Sequence, residues 1–216
     1  MIGPWSKHAR GDFFAMIRSR WLAAVSFALG ATLPCTYAPL ANAQPARYAL
    51  DPEHLTVAFL VEHVGFAKVL GQFGDAEGSY VFDEATGELS DLRVVVDTAS
   101  VSTNHRARDE HLRSAEFLNS EEFPQMVFTA DSARRTGERT FDVSGELQLL
   151  GRSQPLTLTA AWNKSGDYPF GHGRYVMGVS VRGSFNRSAH GMTYGVANDW
   201  VGDEVQIMIE FEALRQ

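Results

Sequence analysis

The chain has 216 residues, a formal charge of −7 and a single cysteine. That length suits one domain with a sizeable core, and an acidic balance repels phosphate backbones, which argues against nucleic-acid partners. One cysteine excludes an internal disulfide framework and a zinc site built from cysteines.

The N-terminal stretch reads separately from the rest. Lys7, Arg10, Arg18 and Arg20 precede an apolar run from Trp21 to Leu33, and small residues stand at Ala41 and Ala43. A basic start, a short apolar core and a small-residue site define a cleavable signal peptide over residues 1–43. The apolar core has thirteen residues, too few for a membrane span of about 20. Met1 and Met16 both fit as its start. Cys35 follows a proline in "TLPC", not the small residues of a lipoprotein signal. Cleavage after Ala43 removes this cysteine and leaves 15 Lys and Arg against 25 Asp and Glu.

From Ala46 to Gln216 the pattern is mostly period-two, as in strands with one apolar face. In "TVAFLVEHV", Val57, Phe59, Val61 and His63 share a face, and in "DLRVVVD", Leu92, Val94 and Val96 do. "FDVSGELQLLG" aligns Val143, Leu147 and Leu149, and "PLTLTAAW" aligns Leu156, Leu158, Ala160 and Trp162. Tyr175, Met177, Val179, Val181 and Phe185 alternate with small or polar residues; "VQIMIEFEA" sets Val205, Ile207, Ile209 and Phe211 against Gln206, Glu210 and Glu212. Turn signals such as "DEATGELSD", "LLGRSQP" and "NKSGDYPFGHG" separate these runs. Short connections favour antiparallel pairing, and many one-faced strands must close into a sandwich or barrel.

One stretch departs from the alternation. "STNHRARDEHLRSAEFL", Ser102 to Leu118, carries three arginines, two histidines and three acids. Helix formers dominate it, Asn104 or Thr103 can cap it, and Phe123-Pro124 ends it. A short helix inserted near 104–118 is expected, with Arg108 and Asp109 as a local ion pair.

No motif for catalysis or metal binding emerges. No "GxSxG" elbow occurs, and none of the histidines after residue 43 has HxH or HExxH spacing. His105 and His111 are six apart and do not share a helical face. A glycine-rich phosphate loop is absent. An outer-membrane barrel would also alternate, but the Glu and Gln opposite the last apolar face suit water outside. The remaining signal is a large apolar and aromatic inventory, which a packed core and a hollow barrel explain equally well.

The order of four segments carries a family resemblance. "LDPEHLTVAFLVEHVGFAKVLGQF" (Leu50 to Phe73), the Thr103, Arg108-Asp109-x-His111-Leu112, Phe117 series, "GELQLLGRSQPLTL" (Gly145 to Leu158) and "FNRSAHGM" (Phe185 to Met192) together resemble the YceI family from about Arg47 onward. The resemblance implies an all-β, lipocalin-like antiparallel barrel of about eight strands. It implies export to the periplasm and an apolar tunnel for a polyisoprenoid, such as a quinone or prenyl tail, or a similar amphiphile. Expected partners are that lipid, a second copy of the chain and, transiently, a membrane. A binding protein rather than an enzyme is expected, with no metal and no cofactor beyond the bound lipid; the alternative is an enzyme using a pocket histidine as acid/base.

On that barrel the expected tunnel wall comprises Phe59, Val61, His63 and Phe73 early in the chain, then Phe117, Phe128, Leu147 and Trp162. Val179, Phe185, Ile207 and Phe211 complete it. Arg108, Asp109, His111, Arg187 and His190 are the expected polar cluster, for a head group or for structure. Ala189 and His190 replace the acid and aromatic usual in the family, placing a titratable group near the expected mouth. Ala76 and Leu118 remove bulk from apolar positions and are expected to widen the tunnel.

Overall fold

The computed structural model describes residues 44–216; the signal-peptide reading lies outside them. The strands are β1 (Ala46–His63), β2 (Ala67–Phe73), β3 (Ala76–Phe82), β4 (Leu89–Asp97) and β5 (Val101–Ser102). After α1 (Arg106–Arg113) come β6 (Gln125–Ala130), β7 (Ala133–Arg135) and β8 (Thr140–Leu149). β9 (Arg152–Asp167), β10 (Tyr175–Asn186) and β11 (Val201–Arg215) complete the order, with single 3₁₀ turns at Thr98–Ser100 and Arg187–His190.

Every pairing is antiparallel, and the path β1–β3–β4–β6–β8–β9–β10–β11 returns to β1, closing an eight-stranded barrel. Closure leaves no free sheet edge along that path. β2 pairs with the second half of β1, and β5 with β2, so these two extend the wall at one end. The β1–β11 register shifts between Leu50 and Leu55. Asp51 organises that bulge, accepting from Glu53 N at 3.0 Å and lying 2.8 Å from His54 Nδ1. Such a bulge bends the strand, which a long strand shared between two neighbours requires.

The alternation read in the sequence is the inward–outward alternation of the barrel. Val143, Leu147, Leu156, Leu158, Val179 and Val181 are buried. The inward residues of β11 are only half-buried, although their strand is paired on both sides. They face a cavity, not other side chains.

The inserted helix is shorter than expected, Arg106–Arg113, and neither Asn104 nor Thr103 caps it. Asn104 turns left-handed, at φ +60°, and Thr103 is engaged elsewhere. His105 Nδ1 instead accepts from Arg108 N at 3.3 Å. Past the helix, turns carry the chain to β6, and Phe117 and Leu118 pack into the core.

Candidate ligand-binding tunnel

The barrel interior holds a cavity of about 630 Å³. An eight-stranded barrel is wide enough for its side chains to fill it or to hold one small ligand, and this one is hollow. The twelve expected wall residues, from Phe59 to Phe211, all line the cavity.

Aromatic side chains close its floor. Tyr48 and Tyr80 stack at 5.3 Å, and Phe211 meets Tyr80 edge-on at 6.3 Å. Phe82 touches Phe141 and Trp162 edge-to-face at 5.6 and 6.0 Å. Glu84 fastens this end from outside: its oxygens accept from Tyr48 Oη at 2.6 Å, Ser165 Oγ at 2.7 Å and Tyr175 Oη at 3.1 Å. Burial, then the carboxylate acceptor, raises the Tyr48 hydroxyl far above the ordinary phenol value, so it remains a donor. Tyr80 Oη reaches Met177 Sδ at 3.5 Å. Of these floor residues Trp162 and Phe211 are expected as wall from the sequence; Tyr48, Tyr80, Phe82 and Phe141 are not.

The opposite end is the mouth. The exposed lining residues Glu62, His63, Val64 and Trp200 lie there, at the β1–β2 turn and the start of β11. Val64 N donates to Trp200 O at 3.0 Å, tying the two segments. Trp200 sits in a segment that reads as a turn and gave no wall signal.

α1 packs across this end. Arg108 and Asp109 do not form the expected ion pair; both converge on Thr103. Arg108 donates from Nε to Thr103 Oγ1 at 2.7 Å and from Nη2 to Thr103 O at 2.9 Å. Asp109 Oδ1 accepts from Thr103 N at 2.7 Å and from its hydroxyl at 2.5 Å. Burial pushes the Asp109 carboxyl up, but the two Thr103 hydrogen bonds, then Arg113 and Arg108, outweigh it and hold it below the usual carboxylate range. Arg108 lines the cavity; Asp109 faces away from it. His111 lies 2.6 Å from Glu116 Oε2 and presents its ring edge-to-face to Phe117 and Tyr194, at 4.9 and 5.0 Å.

Arg187 is 1% exposed. Nε donates to Gly202 O (2.8 Å), Nη1 to Met192 O (2.9 Å), and Nη2 to Tyr194 O (2.7 Å) and Val201 O (2.8 Å). Desolvation lowers its pKa, partly offset by Asp203. Asp203 in turn accepts from Ser188 N and Oγ at 2.8 and 2.7 Å. Arg187 also touches the cavity and stands 5.7 Å over the Phe117 ring.

His190 does not line the tunnel. It is 2% exposed, outside the tunnel, with Nδ1 3.1 Å from Arg152 O and its ring edge-to-face with Phe185. The 3₁₀ turn Arg187–His190 folds it between β9 and β10, and desolvation lowers its pKa. Of the two bulk-removing positions, Leu118 lines the cavity and Ala76 does not. Among the described residues, Asp51, His54 and Glu212 gather three ligand-type atoms within 4.8 Å, with His54 Nδ1 between the two carboxylates at 2.8 and 3.8 Å.

A closed eight-stranded barrel with an apolar cavity, a helix across its mouth and a sealed aromatic floor defines a small-molecule-holding barrel class. The chain belongs to the YceI family: the YceI-like domain model matches residues 48–213. Protein YceI of Salmonella arizonae is 36% identical over 190 residues, 87% of this chain and 97% of that protein. Among solved structures, the Campylobacter jejuni YCEI protein aligns with TM-score 0.65 and 26% identity, over 72% of this chain and 90% of its own. A polyisoprenoid binding domain from Saccharophagus degradans shares the fold at TM-score 0.58 and 15% identity, covering 80% of this chain and all of that domain.

Proposed function

We propose that this protein holds a polyisoprenoid or similar long-chain amphiphile, a quinone or prenyl tail, in its barrel, and does so in the periplasm after removal of residues 1–43. The observation that carries this reading is the cavity of about 630 Å³ walled by aliphatic and aromatic side chains. The polyisoprenoid-binding domain of the same fold supports the choice of ligand, and the signal pattern of the N-terminus supports the compartment. The protein stores, carries or sequesters its ligand and does not turn it over. Two cationic side chains that line the tunnel are engaged in fixed contacts, Arg108 with Thr103 and Arg187 with four carbonyls.

Binding then comes from the tail. Burial contributes about 0.8 kcal/mol per CH₂, so affinity rises about fourfold per methylene until the cavity is full, then levels off. Calorimetric titration with prenyl and alkyl alcohols of increasing length checks this, alongside native mass spectrometry of protein recovered from its own periplasm. Affinity that ignores tail length but follows the head group would overturn the reading. Recovery of a chemically altered lipid after incubation would favour the enzyme alternative.

A further inference from the structure

Five large apolar side chains stand exposed among the described residues, and four gather at one place. Val64 is 42% exposed and Phe66 91%, both in the β1–β2 turn; Leu70 is 58% exposed on β2 and Trp200 56% on the adjoining segment. The fifth, Phe170, packs against Tyr168 in the β9–β10 connection. The four sit at the tunnel mouth. Val64 and Trp200 line the cavity on their inner side, and Leu70 pairs with Leu60 in the β1–β2 ladder outside it. Apolar side chains of the tunnel wall thus reach the protein's surface at Val64 and Trp200.

The turn itself is strained to present these groups. Phe66 N donates to His63 O at 3.1 Å, and the two central residues have φ +53° at Val64 and φ +71° at Gly65. A two-residue turn of this kind favours Asn-Gly, and a β-branched residue there is an outlier that costs about 1–3 kcal/mol. Valine is thus held where asparagine would fold better. At this end Glu62 and Lys68 face each other across the ladder.

We infer that the Val64–Phe66–Leu70–Trp200 rim docks the tunnel mouth into the interface of an electrically neutral lipid bilayer. Aromatic and aliphatic tips of this kind partition at the headgroup boundary. The inference rests on the lipid-holding reading above and adds where the ligand enters: the tail slides from bilayer to tunnel without crossing water. A second copy is the lesser fit. Four side chains are a small surface, whereas a stable dimer buries about 800 Å² on each partner, and a copy seated there would cover the mouth. The surplus of acidic residues in the domain opposes an anionic membrane, so neutral lipid is the favoured surface.

The test is flotation of residues 44–216 with phosphatidylcholine vesicles at low and high salt, beside a titration with geranylgeraniol delivered from cyclodextrin. The intact domain floats, with little dependence on salt. Phe66→Ser and Leu70→Ser, both outside the cavity lining, each weaken flotation about tenfold or more and leave geranylgeraniol affinity unchanged. Val64→Asn raises the melting temperature while weakening flotation. A domain that binds geranylgeraniol but does not float overturns the docking inference alone; one that fails to bind geranylgeraniol overturns the lipid-holding reading itself. Sedimentation showing a dimer that Phe66→Ser dissociates would assign the rim to a second copy, and binding only to anionic vesicles with steep salt dependence would assign the contact to charge.

Discussion

Replacing Arg187 separates a structural role from a ligand role. Its guanidinium donates to the carbonyls of Met192 and Tyr194 on one side and to those of Val201 and Gly202 on the other. It therefore fixes the segment between the 3₁₀ turn and β11 that frames the mouth. Met at this position keeps much of the bulk and removes every donor. Each buried carbonyl left unsatisfied costs about 1–3 kcal/mol; with two of the four finding no substitute, the loss is about 2–6 kcal/mol. Against a total of about 5–15 kcal/mol for a domain, and about 2–4 °C per kcal/mol at this size, the melting temperature falls by about 4–24 °C. Thermal and urea unfolding followed by circular dichroism read the change. Arg187→Lys retains the charge, but one ammonium cannot fork to four acceptors on two sides, so it recovers less than half of the loss. An Arg187→Met variant within about 1 kcal/mol of the parent, or a Lys variant equal to it, would refute the reasoning and return Arg187 to the head-group role.

Other outcomes follow from named contacts. Arg108→Ala removes both donors to Thr103 and lowers stability by about 1–3 kcal/mol while leaving ligand selectivity unchanged; an unchanged melt with altered selectivity contradicts this. A Cβ at Gly145 would lie 2.1 Å from the Thr129 carbonyl oxygen, a backbone atom that cannot rotate away, so Gly145→Ala costs about 3 kcal/mol or more. At Gly71 the nearest atom is Phe59 Cζ at 2.2 Å; there the ring swings into the cavity, so Gly71→Ala costs less stability and weakens long-tail ligands, read by calorimetry on both variants. Proton NMR titration resolves two histidines shifted in opposite senses from about 6.5: His54 upward, held by Asp51, and His190 downward through desolvation. His190, neutral when folded, contributes stability that is complete above the unfolded value and is lost as pH falls from there through its lower folded pKa. His54 does the reverse, its contribution being lost as pH rises through its raised folded pKa.

Much of the fold was legible because inward and outward faces alternate with the strand period. The runs read at Thr56–Val64, Asp91–Asp97, Phe141–Gly151, Pro155–Trp162 and Val205–Ala213 fall almost wholly on β1, β4, β8, β9 and β11. β2 and β3 gave no such signal. Their inward slots include Gly71 and Gly78, and the missing bulk comes from elsewhere, at Gly71 from the Phe59 ring on the neighbouring strand. A pattern distributed over two strands is invisible in either one. The helix cap was misplaced for a similar reason. Thr103 and Asn104 are good cap types, but Thr103 is bound by Arg108 and Asp109, contacts that exist only once the helix has folded back.

Hollowness is a different matter, because periodicity cannot report it. A solid barrel and an empty one both need apolar residues at every second position, and Ile207 and Phe211 satisfy either. What distinguishes them is whether inward side chains from opposite walls meet, and that depends on barrel circumference and on the sum of all inward volumes. Here aromatics pack together at the floor, Tyr48 on Tyr80 and Phe82 on Phe141 and Trp162. Valine, isoleucine and leucine line much of the wall above and leave the space open. The half-exposure of β11's inward residues is the direct consequence, and a polar group placed among them meets a cavity rather than a packed core. Val205→Thr, on the cavity wall, should therefore cost less stability than Val101→Thr, whose side chain is fully buried and does not line the cavity. Equal losses in urea unfolding would mean that the cavity collapses in solution.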